Sequence, residues 1–120
     1  YMNFHIGYAY YMGGEDVKAA YFFDNGIADM NKQLSKAPTH HMQLALIAAF
    51  RGEKEEVHTQ LNALRNVEGM DLFGAIHLKD ERYFGKFMDD PEFLELRQAL
   101  LSKYKKEQEE VKLWMQEHGI

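Results

Sequence analysis

Apolar positions along most of this chain recur at three- and four-residue spacing, the pattern of helices that bury one face. Residues 2–12 are apolar on nearly every side, with Met2, Phe4, Ile6, Tyr8, Tyr10, Tyr11 and Met12. A helix of that kind should be buried over most of its surface. Gly13-Gly14 ends it, and Asp16 is placed to cap the next helix. The second helix is predicted to reach about Ser35, with Ala19, Ala20, Phe23, Ile27, Met30 and Leu34 on one stripe. Ala37-Pro38-Thr39 interrupts the pattern and offers Thr39 as a cap. A third helix over about 40–51 and a fourth over about 54–66 are separated by Gly52-Glu53-Lys54. Val57, Leu61 and Leu64 form the stripe of the fourth. After a loop at 67–70, two short helices are expected within 71–88. Pro91 then opens a long last helix to about 118, with Asp89 or Asp90 as its cap. The predicted fold class is all-α, in one domain over residues 1–120.

The chain also repeats itself. Gly14 and Gly52, 38 residues apart, each end the first helix of a pair. Seven residues before each glycine stands a small residue, Gly7 or Ala45. Five and nine residues after it stand Ala19 and Phe23, or Val57 and Leu61. The small residue allows the paired helices to approach, and the glycine permits a left-handed turn. The two residues beyond it share one helix face.

These residues resemble the signature of the tetratricopeptide repeat family. The likeness is best over residues 2–35, where Gly7, Tyr10, Gly14, Ala19, Phe23 and Gly26 stand at signature positions. It is weaker in the second unit, where Val57 and Leu61 replace the Ala and the aromatic. Asn3 stands where the family has tryptophan, and the closing proline comes late, at Pro38. The segment Asp90, Pro91, Phe93, Leu96 and Arg97 is similar to the closing stretch of such domains in bacterial signalling proteins. The resemblance implies an array of helical hairpins forming a fragment of a right-handed superhelix, with hairpins at about 2–35 and 40–66 and a long C-terminal capping helix from about 91 to 118. It implies a non-catalytic protein–protein interaction module, the C-terminal part of a larger bacterial protein. The first helices would then line a concave groove with Phe4, Tyr8, Tyr11, Met12, Met42, Leu46, Ala49 and Phe50. That surface suits a protein or peptide partner. Family members that grip a terminal carboxylate do so with Lys, Asn and Arg, which this surface lacks. The alternative is a self-association or regulatory domain, even a homodimer, whose groove is filled by its own last helix or by a second copy. Val111, Trp114 and Met115 near the end of that helix are the candidates for self-association or capping.

Composition narrows the chemistry. The net charge of −5 and the lack of a lysine- and arginine-rich patch argue against nucleic acid as partner. No apolar run is long enough to span a membrane. With no cysteine, a thiolate nucleophile and a Cys-based zinc site are ruled out, and a cytoplasmic location is favoured. Gly13-Gly14 has no following Lys-Ser/Thr and no preceding strand, so it is not a phosphate loop. The six histidines make no helical pair with a glutamate of the metalloprotease kind. A composite site of His5 with His40 or His41 is the one metal arrangement the topology would permit, and helix-start polar residues are the preferred reading. No catalytic residue, metal or cofactor is therefore expected.

Overall fold

The computed structural model describes residues 2–32, 38–67 and 77–120, and every regular element among them is helical. The elements are α1 (Met2–Met12), α2 (Asp16–Asn31), α3 (Pro38–Phe50), α4 (Lys54–Arg65), α5 (Glu81–Phe84), a 3₁₀ turn at Gly85–Phe87, and α6 (Pro91–Glu117). The expected end of the second helix at Ser35, and most of the first short helix within 71–78, lie outside the described residues. No helix among the described residues is long and apolar enough to cross a membrane.

The two turns predicted to be equivalent are built alike. Gly14 has φ +78° and Gly52 has φ +71°, the left-handed region that a glycine enters without penalty. The Gly14 amide donates to the Tyr11 carbonyl at 3.1 Å and the Glu15 amide to the Tyr10 carbonyl at 2.9 Å. Gly52 to Ala49 and Glu53 to Ala48 repeat those bonds at 3.1 and 2.9 Å. Both are Schellman caps, which satisfy carbonyls that a helix end would leave bare. The following helices also start alike. Glu15 and Glu53 hold the cap position with nearly equal backbone angles and no side-chain hydrogen bond, and their carbonyls accept from Ala19 and Val57. The cap expected of Asp16 is thus corrected: Asp16 is the first helical residue, where its charge faces the helix dipole favourably. Thr39 is no cap either, because α3 begins at Pro38, a first-turn position that needs no amide proton.

Within each pair the helices run antiparallel. The ideal Cβ of Gly7 would touch the Phe23 ring, and Asn3 reaches Asp29. In the second pair the ring of His41 meets Gln60. Burial repeats at the same interval: Gly7 with Ala45, Ala19 with Val57, Phe23 with Leu61, and Gly26 with Leu64 are all buried. The first half of α6 covers the second pair, running parallel to α4. His58 lies by Asp90 and Glu92 at one end, and Lys103 reaches the Leu64 and Val67 carbonyls at the other. Phe93, Leu96 and Leu100 are buried in that contact, with the Phe93 ring packed on Phe84 and Phe87. Asp90 caps α6 by accepting from the Glu92 amide, and Pro91 follows in the first turn.

Candidate functional site

The predicted groove residues converge, but around a filled centre. Phe50 is buried, and its ring lies 4.7 Å from Tyr11, 5.5 Å from Tyr8 and 5.8 Å from Phe23. Tyr83 of α5 lies over this cluster, 5.5 Å from the Tyr8 ring and 6.2 Å from Phe50. Phe4, Met42, Leu46, Ala49 and Phe50 are all buried, Tyr8 and Tyr11 are half-buried, and Met12 is exposed. A groove open across all eight residues is therefore not present. Its floor became core because α5 packs on α3 and sets Tyr83 over the ring cluster. A cavity of about 200 Å³ remains, lined by Tyr11, Ala19, Phe23, Phe50 and Arg51 among others. Burial is the main reason the Tyr83 phenol is pushed above its ordinary range, and its hydrogen bond with Tyr8 adds to the shift.

The other predicted cluster behaves in the opposite way. α6 carries one apolar stripe, with Phe93, Leu96 and Leu100 against α4 and then Val111, Trp114 and Met115 beyond the end of α4. Leu100 is fully buried, whereas Val111 is 58% and Trp114 53% exposed. Leu113 and Ile120 are also exposed. Trp114 stacks on His118, just past the end of its own helix, with centroids 4.2 Å apart. At 3.6 residues per turn, Lys105 and Lys112 fall along one edge of this stripe and Glu110 and Glu117 along the other. The last helix therefore does not fold back into the groove, as one of the sequence alternatives required.

One polar constellation had no signal in the sequence. His58 of α4 is largely buried, and both its ring nitrogens face carboxylates: Nε2 is 2.5 Å from Asp90 Oδ2 and Nδ1 is 3.1 Å from Glu92 Oε2. A ring carrying both protons donates to both partners at once. Lys54 Nζ lies 3.8 Å from Asp90. Burial alone would raise the Asp90 carboxyl, but the hydrogen bond and charge of His58, then Lys54 and the Glu92 amide, outweigh it and hold the group below the usual carboxylate range. The cluster joins α4 to the capped start of α6. Beside it lies an open polar cavity of about 440 Å³, lined by Thr59, Asn62, Arg65 and Glu95 as well as His58 and Glu92.

His41 is bonded to Gln60 at 2.8 Å, and no group of three or more metal-ligating side chains comes together among the described residues. Comparison of the chain with protein-family models, with curated proteins and with solved structures finds no match.

Proposed function

We propose that this chain is a non-catalytic protein–protein interaction module of tetratricopeptide-like hairpins, and that it meets its partner through the free half of α6. The duplicated turns and the 38-residue repeat of burial support the repeat reading. The observation that carries the function is the split stripe of α6. Its first half is core, and its second half holds Val111, Trp114 and Met115 in solvent on a charged helix. Clustered exposed apolar side chains of this kind mark contact sites, and tryptophan is prominent among binding hot spots. The edges of the stripe name the partner's chemistry: an amphipathic helix with acidic residues facing Lys105 and Lys112 and basic residues facing Glu110 and Glu117. A second copy fits this place poorly. An antiparallel pair would set Lys112 against Lys112 and Glu110 against Glu110. A parallel pair in register would need the space that α4 fills.

Trp114 is the single tryptophan of the chain and reports directly on this site. A synthetic amphipathic helix with Glu on one edge and Lys on the other should shift Trp114 emission to the blue and saturate. The same peptide with its charges exchanged should bind at least about tenfold more weakly. Ending the chain after Tyr104 should abolish binding and leave unfolding within about 0.5 kcal/mol of the full chain, because the removed side chains are exposed except for Glu107, whose pairing with Lys103 is a partly solvated one. Equal binding of the two peptides, or a loss of about 2 kcal/mol or more on truncation, would make the end of α6 a structural element instead.

A further inference from the structure

The open cavity between α4 and α6 has walls of opposite character. α4 contributes His58, Asn62 and Arg65, which recur at four- and three-residue spacing along one helix face. α6 contributes Glu92 and Glu95, one turn apart, and the buried Leu96 is the apolar part of the lining. His58 and Arg65 stand about 10 Å apart along the α4 axis. The volume of about 440 Å³ lies within the span of small-molecule sites, about 300–1,000 Å³. His58 already has its partners in Asp90 and Glu92. Arg65 and Glu95 are opposite charges on one cavity, yet they form no ion pair with each other or with any other described residue. The Asn62 side-chain amide likewise makes no hydrogen bond among the described residues. Arg65 stands in the last turn of α4, where the helix dipole favours a cation but gives its guanidinium fork no partner.

We propose that this cavity binds a small zwitterion of the α-amino acid class. The ligand carboxylate takes the Arg65 fork, and the Asn62 amide donates a further hydrogen bond to it. The ligand ammonium donates to Glu95 and to Glu92, which meets His58 through Oε2 and keeps Oε1 for the ligand. The aliphatic part lies against Leu96. Charge excludes simpler ligands. An anion alone would meet Glu92 and Glu95, and a cation alone would meet Arg65. A metal ion has no ligand set here, because no three metal-ligating side chains come together among the described residues. A molecule carrying both signs satisfies both walls. The walls are also set in advance. The two ring contacts of His58 tie the start of α6 to α4, and Phe93, Leu96 and Leu100 are buried in the same helix contact. A ligand therefore enters without reordering the helices.

Titration of the full chain with L-alanine, followed by NMR, tests this. The signals of the Asn62 side-chain amide and of the Arg65 Nε–H should shift and saturate below about 50 mM. Propionate lacks the ammonium and ethylammonium lacks the carboxylate, and each should bind at least about tenfold more weakly than alanine. Arg65→Gln and Glu95→Gln should each weaken alanine binding about tenfold and leave the urea midpoint unchanged, since both side chains are exposed. Shifts that stay linear up to that concentration, equal binding of alanine and either half-molecule, or alanine binding undiminished in both variants would each overturn the proposal. Leu96 lies about 27 Å from Trp114 along α6, so alanine should leave Trp114 emission unchanged. The reading of the α6 tip is judged by peptide binding and is unaffected by these results.

Discussion

Gly7 and Phe23 make the closest approach in the first hairpin, and replacing Gly7 by Ala probes it. A Cβ on Gly7 would lie 2.6 and 2.7 Å from two atoms of the Phe23 ring, roughly 1 Å inside ordinary carbon contact. The ring cannot slide away easily, because Phe4 and Phe50 pack against it at 6.3 and 5.8 Å. Overpacking of this severity costs up to about 3 kcal/mol. Removing a glycine from a helix returns about 1 kcal/mol. Gly7→Ala should therefore destabilise by about 2 kcal/mol. The second hairpin shows the relieved version of the same contact, with Ala45 and Leu61 at the equivalent positions and both fully buried. In a Phe23→Leu background, Gly7→Ala should stabilise instead, by up to about 1 kcal/mol. Urea unfolding of the four proteins closes a double-mutant cycle with an expected coupling of about 2–3 kcal/mol. Gly26→Ala is the control, since its Cβ would meet the Asn3 Cβ at 3.4 Å and the Phe4 backbone nitrogen at 4.0 Å, both ordinary contacts, and it should stabilise slightly. A coupling below about 0.5 kcal/mol would refute the claim that helix approach is set by this pair.

Two further predictions concern ionisable groups. Asp90 has a lowered folded-state value, so its contribution is present above the ordinary carboxylate range and is lost as pH falls through that lowered value. Asp90→Asn keeps a capping side chain but loses the charge beside His58, so its stability should fall less steeply with acid than the parent's. A parent and variant with parallel acid-unfolding curves would contradict this. Tyr83 should ionise later than an ordinary tyrosine in alkaline titration followed by ultraviolet absorbance, and Tyr83→Phe should delete that late step.

Much of the fold was legible because its signals are local. A glycine at a helix end imposes its turn wherever the chain goes, so Gly14 and Gly52 marked both hairpins. The stripes of Ala19 and Phe23 and of Val57 and Leu61 likewise follow from helix geometry alone. The caps were misread at Asp16 and Thr39 because backbone hydrogen bonds and Pro38 do that work. The groove was misjudged for a different reason. Its residues were found, but their cover, Tyr83, arrives from another helix more than thirty residues along the chain. The His58 cluster had the same difficulty, since Asp90 was readable as a cap and nothing near it named His58. The bare side of α1 contradicts the expectation that so apolar a helix is buried nearly all round.

The unbroken helix from Pro91 to Glu117 has a mechanical consequence. Leu100 is fixed in the core and Trp114 stands in solvent fourteen residues further on, about 21 Å along one rod. No flexible joint separates the two, so a partner bound at the tip, as proposed, would be held at a set distance and heading from the hairpins. A flexible tether of the same length would fix reach without direction. Two glycines placed between Tyr104 and Val111 would turn the rod into such a tether. Grip at the tip could survive that change, while angular precision and the transmission of force into α4 would be lost.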